Sequence, residues 1–247
     1  MAYDSENIFP YNRQEQKGVQ VERMFDAIAG RYDALNHLLS FGLDKRWRRK
    51  GIDFLRPFSP ARILDVATGT GDLAIALYEA LRPGLVVGID LSDGMMEVGR
   101  RKAAIAGCAR SVLFERQDCM ALSYPDDSFD AVTVAFGVRN FAQIARGIAE
   151  MHRVLKPGGH LLILELSTPR RFPMKQLYAM YSKAVIPRIG RLVSREKAAY
   201  AYLPASIRVV PQGGEMAGLL AGQGFEEVGV RTFTFGICSL YTGKKNH

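Results

Sequence analysis

From Ala61 onward, short apolar runs alternate with stretches in which apolar residues recur every three or four positions. The runs Arg62–Ala67, Leu85–Ile89, Val112–Arg116, Ala131–Phe136 and His160–Glu165 predict buried strands. The stretches near Asp72–Leu81, Asp93–Ala106 and Ala142–Leu155 predict the helices between them. Pro157-Gly158-Gly159 reads as a tight turn before the fifth strand. Gly213–Gly222 predicts one more helix, and Phe225–Arg231 and Phe235–Thr242 predict two closing strands. Only a few residues join those strands, so they should pair as an antiparallel hairpin.

The first 60 residues have a different texture. Val19, Met24, Phe25 and Ile28 form one apolar helical stripe, and Asp44–Phe54 reads as a second helix with Asp44 as its N-cap. Pro169–Val210 also departs from the alternation, being apolar, basic and mostly helical in pattern. The expected fold class is therefore α/β, with a Rossmann-like seven-stranded sheet, mostly parallel, closed by an antiparallel strand. An N-terminal helical cap over residues 1–60 would precede the main domain, 61–247, which carries a helical lid insertion at about 169–211.

Composition narrows the class. The chain has 247 residues, 48% of them hydrophobic, enough to bury a large core. Its three cysteines form no CxxC pair and its four histidines no metal-ligand spacing, so no metal is expected. No apolar run reaches the ~18 residues of a membrane span, and the N-terminus has no apolar signal region. A cytoplasmic location fits, with any membrane contact peripheral. The net charge of +8 asks for an acidic partner.

Candidate chemistry begins where the first strand, with Asp65 inside it, runs into Thr68-Gly69-Thr70-Gly71-Asp72. Gly69 and Gly71 let the backbone turn tightly and approach a ligand. The next strand ends at Asp90, followed by Leu91, and an acidic residue about 20 positions past such glycines accepts hydrogen bonds from a ribose diol. Asp118, after the third strand, suits an adenine amino group. The glycine spacing also satisfies a dinucleotide pattern. Asp65 before the turn, the third acidic position and the closing hairpin tip the reading to S-adenosylmethionine.

The order ILDVATGTGD, VVGIDLS, RQDCMALSYPDDSFDAV and RVLKPGGHLLILELS resembles class I methyltransferases, and most closely the quinone C-methyltransferases of menaquinone and ubiquinone synthesis. Arg153–Gly159, running on to Glu165 and Ser167, matches the family's second signature throughout. Tyr32-Asp33-Ala34-Leu35-Asn36 with Ser40 and Trp47 matches most of the first, with Leu35 where Met is usual and Asp44 where His is usual. The resemblance implies that Thr70, Asp90, Asp118 and Cys119 line the cofactor site, with Ala135 standing where some members have Ser. It also implies a polyprenylated quinol substrate, demethylmenaquinol being the reading taken, and S-adenosylhomocysteine as the product of the cofactor. A benzoquinol, another small molecule or RNA on the same scaffold, and a non-catalytic binding protein remain alternatives.

Methylating a quinol carbon requires that a ring hydroxyl lose its proton, which makes the ortho carbon nucleophilic. Arg139, in the segment after the fourth strand, is the expected stabiliser of that charge, and Asn140 would orient the ring. Tyr32 and Asn36 join them as candidates, with His37, Asp33, Tyr32 and Asp44 considered as bases. Each has a plainer alternative: Arg139 pairing with a surface carboxylate, Asn36 a local cap, Tyr32 a core aromatic, Cys119 a packed thiol, Glu165 a partner for loop amides. Arg170–Lys197 carries eight basic residues and one acidic, interleaved with apolar ones. That pattern suits an anionic membrane surface or a substrate lid. No RRM, KH or helix-turn-helix signature supports a nucleic-acid partner. A homo-oligomer stays open.

Overall fold

The computed structural model describes residues 3–185 and 197–247, apart from the side chains of Lys183 and Lys197. Five parallel strands, β1 (Arg62–Val66), β2 (Leu85–Asp90), β3 (Val112–Arg116), β4 (Phe129–Ala135) and β5 (Leu155–Leu166), are completed by β6 (Glu226–Phe233) and β7 (Cys238–Lys244). The sheet order is β3-β2-β1-β4-β5-β7-β6, with β7 antiparallel to both neighbours. The expected seven-stranded, mostly parallel sheet is thus the observed one. Its direction of winding reverses between β1 and β4, the place where such sheets bind ligands.

Alternation along each strand sends side chains to two cores. Leu64 and Val66 join Ile144, Ile148 and Met151 of α6 (Ile144–Val154) and Leu220 of α9 (Gly214–Gly222) on one face. Ile63 joins Leu73 and Leu77 of α4 (Asp72–Leu81), Met96 of α5 (Asp93–Ile105) and Leu55 of α3 (Leu43–Leu55) on the other. A third core lies above the sheet's C-terminal edge. There Val21, Met24 and Ile28 of α1 (Lys17–Ile28) and Leu35 of α2 (Tyr32–Leu39) meet Ala199, Tyr200 and Tyr202 of α8 (Lys197–Val209). The cap and the insertion, which also contains α7 (Met174–Met180), therefore share one roof over the ligand edge.

Several expectations are corrected. Val19 is 45% exposed, and Val21 takes its place on the buried face of α1. The cap of α3 is Gly42, at φ +73°, and Asp44 sits inside the first turn. Pro157-Gly158-Gly159 is not a turn before β5 but a bulge within it: Phe129 pairs with Leu155 and Ala131 with His160. Phe235 belongs to the turn before β7, with φ +56°, and is 79% exposed. Arg188, Arg191 and Arg195 of the basic segment lie outside the described residues.

Candidate active site

The loop after β1 is shaped by carboxylates as much as by glycine. Gly69 and Gly71 take φ of +56° and +75°. Asp90, at the end of β2, accepts from the backbone N–H of Gly69 (2.9 Å) and of Ser92 (3.0 Å). Asp65, inside β1, accepts the hydroxyls of Thr68 (2.6 Å) and Thr133 (2.7 Å). Asp65 is 1% exposed, and burial raises its pKa to about 6, despite those two hydroxyls. Burial also pushes Asp90 up. Backbone strain gathers here. Ala67 (φ +52°) and Phe136 (φ +60°) are left-handed, at the facing ends of β1 and β4. A Cβ on the intervening Gly137 would lie 2.6 Å from the Cβ of Ala67.

Two clefts open on either side of this junction. The first, about 750 Å³, is lined by Gly69, Asp90, Leu91, Asp118, Cys119, Ala135 and Asn140. On its other side it is lined by Gly18, Val21, Glu22 and Phe25 of α1, residues that no sequence motif marks. Asp65 and Thr70 instead line a small polar recess behind the glycine loop, while Gly71 lines neither and packs on Phe114. Thr70 donates to Asp33 (2.5 Å), and Lys102 also reaches Asp33 (2.7 Å). One Asp118 oxygen accepts from Met120 N–H (2.9 Å). Asn140 Oδ1 is buried with no hydrogen-bond partner among the described residues. Burial pushes the Cys119 thiol up, so it packs as a neutral group.

This donor–acceptor set decides between cofactor classes. A pyrophosphate would meet Asp65 and Asp90, and Gly69 N–H, the donor it would use, is already bonded to Asp90. An adenosyl group with a ribose diol, a ring amine and an ammonium supplies the donors that Asp90, Asp118 and Asn140 can accept. The first cleft therefore fits S-adenosylmethionine.

The second cleft, about 1070 Å³, has walls of Leu39, Phe41, Leu43, Trp47, Leu177, Tyr178 and Ile207 and a floor of Tyr32, Asn36, Arg48 and Arg139. Tyr32 and Phe136 line both clefts. Arg139 is 5% exposed; its guanidinium pairs with Glu165 Oε1 (2.9 Å) and its backbone N–H donates to Glu165 Oε2 (3.1 Å). Its partner is thus a buried carboxylate, not a surface one, and Glu165 does serve loop amides, since Leu166 N–H also donates to it (2.9 Å). On the other side Lys17, buried and lowered to about 8 by desolvation, donates to the carbonyls of Arg139 (3.2 Å) and Phe141 (3.1 Å). Arg48, missed in the sequence, pairs with Asp44 (2.5 Å) and Asp72 (3.4 Å) and lies over the Phe136 ring.

The candidate bases separate. Tyr32 bonds Asn36, and burial raises its pKa, which keeps its hydroxyl a donor. Asp33 is held by Thr70 and Lys102, and His37 by Asp44 (2.9 Å); neither lines the second cleft. Asp44 does line it. Burial pushes Asp44 up, but Ser40 and Arg48 outweigh it and hold the carboxyl low. His37, Asp44 and Asp72 offer ligand atoms within 4.8 Å of one another, yet Arg48 already bridges the two carboxylates.

An acceptor-lined cleft at the β1/β4 switch point, strained where it meets a second, aromatic cleft, suits the class to which this chain belongs, the S-adenosylmethionine-dependent methyltransferases. Solved structures agree on the fold. A methyltransferase of Thermotoga maritima superposes with a TM-score of 0.64 at 18% identity, covering 91% of this chain and 99% of its own. The [4+2]-cyclase SpnF gives 0.66 at 18%, covering 92% and 96%. The chain belongs to the ubiE/COQ5 methyltransferase family, whose model matches residues 12–245. A demethylmenaquinone methyltransferase of Bacteroides fragilis is 53% identical over 99% of this chain and 100% of its own length. That of Porphyromonas gingivalis is 48% identical over 97% and 98%. The UbiE C-methyltransferase of Geobacter sulfurreducens is 46% identical over 94% and 91%.

Asp65 yields a prediction. Its folded pKa, about 6, lies above the ordinary value of 3.8, so the folded state holds the proton more tightly between those limits. Its contribution to stability is therefore largest at low pH and declines as pH rises through that window, at a cost of about 3 kcal/mol by pH 7. Asp65→Asn should gain stability relative to the native chain as pH rises from 4 to 7 in urea titrations, while binding S-adenosylmethionine more weakly. A stability difference independent of pH would contradict this.

Proposed function

We propose that this chain transfers a methyl group to a ring carbon of demethylmenaquinol, producing menaquinol. The carrying observation is the Tyr32–Phe136 wall shared by the two clefts, which sets an apolar, aromatic cavity lined by the ion-paired Arg48 and Arg139 against the cofactor cleft. The names of the relatives at 53% and 48% identity support the same acceptor.

The bound cofactor supplies an electrophilic methyl on a sulfonium. The residues of this chain do the rest. Arg139 and Arg48 line this cavity; each is paired with carboxylates but keeps an Nε–H without a partner among the described residues, free to donate to a ring oxygen and stabilise the oxyanion. Asp44, whose carboxyl Ser40 and Arg48 hold low, is too weak a base to take the hydroxyl proton, so we assign that proton to water at the cleft mouth, with the arginines stabilising the oxyanion left behind. Tyr32 and Asn36, joined by their hydrogen bond, orient the ring, and Asn140 presents its buried carbonyl oxygen from the cofactor side. The ring carbon gains a methyl and loses its hydrogen, so each turnover releases one proton. The roof of α1, α2 and α8 excludes water from the developing charge.

Substrate access fits a lipid surface. No helix among the described residues is long and apolar enough to cross a membrane. Phe41, 77% exposed, lines the second cleft, as do Met174 and Leu177 of α7; Phe172 (81%) and Met180 (64%) flank those two in the chain, as do the exposed Arg170, Arg171 and Lys175. Such a lip suits peripheral contact with an anionic leaflet, the quinol ring entering from it.

Two measurements test these readings. Quinones extracted from a deletion strain should show demethylmenaquinone in place of menaquinone, and an unchanged quinone pool would exclude the function. The purified protein should co-sediment with phosphatidylglycerol vesicles at low salt, and Phe41→Ser/Phe172→Ser/Met180→Ser should reduce the bound fraction several-fold. Absence of binding by the native chain would remove the membrane reading.

A further inference from the structure

Behind the second cleft lies a smaller cavity between α1, α2 and α8, joined to it through Tyr32, Asn36, Leu39, Arg139 and Leu203. Two donors on residues lining it have no partner among the described residues. Arg139 is 5% exposed and its Nε has no hydrogen-bond partner there; Tyr202, on α8, is 4% exposed and its hydroxyl has none. The two groups interact electrostatically, and both line the cavity. Buried polar atoms are rarely left unsatisfied, because water is given up with nothing in return. Two unsatisfied donors on the same cavity, one of them on a residue that also lines the second cleft, point to a ligand oxygen.

We propose that Tyr202 is an acceptor-binding residue, its hydroxyl and Arg139 Nε donating together to the ring oxygen beside the carbon that is methylated. The inference rests on the reading that a quinol occupies the second cleft. Burial pushes the Tyr202 hydroxyl up, so it is a donor at every physiological pH and cannot act as the base. Two donors on one oxygen favour the anion over the neutral hydroxyl. The insertion then does more than shield the site: α8 brings to the ring a hydrogen bond that the sheet cannot supply. Because Tyr202 packs with Val21, Met24, Ile28 and Leu35, the same roof couples ring binding to the helix that lines the cofactor cleft.

Tyr202→Phe removes one oxygen that bonds nothing within the described protein, so the fold should persist; Tyr202→Met is a second variant should the first aggregate. The probe is 1-naphthol, a ring bearing one ionisable hydroxyl, added to the full chain with saturating S-adenosylhomocysteine. Its ionisation is followed by naphtholate absorbance across pH. On the native chain the bound naphthol should ionise at lower pH than in water. In the variant its apparent pKa should rise by about one unit and naphtholate affinity fall about tenfold, with thermal midpoint and S-adenosylhomocysteine affinity unchanged. A residue serving only to pack α8 would shift the thermal midpoint and leave the bound naphthol's pKa alone; that result overturns the proposal. Failure of naphthol to bind the native chain at all would instead bring down the quinol reading, and this inference with it.

Discussion

Both carboxylate oxygens of Glu165 are committed to the short turn that follows β4. One holds the guanidinium of Arg139 and the other its backbone N–H, and the pair is almost wholly buried. From the opposite side Lys17 of the cap grips the carbonyls of Arg139 and Phe141. A buried ion pair of this kind is a poor source of net stability, but removing one partner alone strands a charge and costs about 3–5 kcal/mol. What it secures is position. The clamped turn carries Asn140 into the cofactor cleft and Arg139 into the second, so the geometry of both depends on it.

The two clefts are sorted by charge. Asp90 and Asp118, at or just past the ends of β2 and β3, present acceptors to the first cleft, while Arg48 and Arg139, with Asp44 bonded to Arg48, line the second. The cap is tied down across that divide. Asp26 accepts from Ser92 Oγ (2.5 Å) and Gly94 N–H (3.0 Å) at the start of α5, and Asp33 reaches Thr70 and Lys102. Exposed ion pairs such as Arg116–Glu22 (2.6 Å) contribute little individually. The hydrogen bonds at the start of α5 and at the glycine loop matter more, because they link the cap to the backbone that borders the first cleft.

Much of this was legible in the chain. Strand periodicity and the distance from Gly69 to Asp90 report local and near-local geometry, and both survive in the structure. The inner face of α1 was misread because it carries polar residues. Lys17 and Gln20 are buried, and the Gln20 amide accepts from Tyr11 and Asn12 and donates to Asn12 and Glu15. An apolar stripe cannot reveal a face whose polar groups are satisfied by distant backbone. Arg48 and Tyr202 carry no local signal, because Asp72 beside the one and the cavity between α1, α2 and α8 lined by the other form only on folding. Pro157-Gly158-Gly159 carries turn chemistry, and only pairing with β4 and β7 makes it a bulge.

Cofactor and acceptor, as proposed, meet at the Tyr32–Phe136 wall, held by the clamped turn. A crystal structure with S-adenosylhomocysteine tests this most directly. The ribose should lie against Asp90, the adenine near Asp118, and the sulfur beside Ala135, directed at the second cleft. Density that places the sulfur away from Tyr32 and Phe136, with no path to Arg139, would contradict the account.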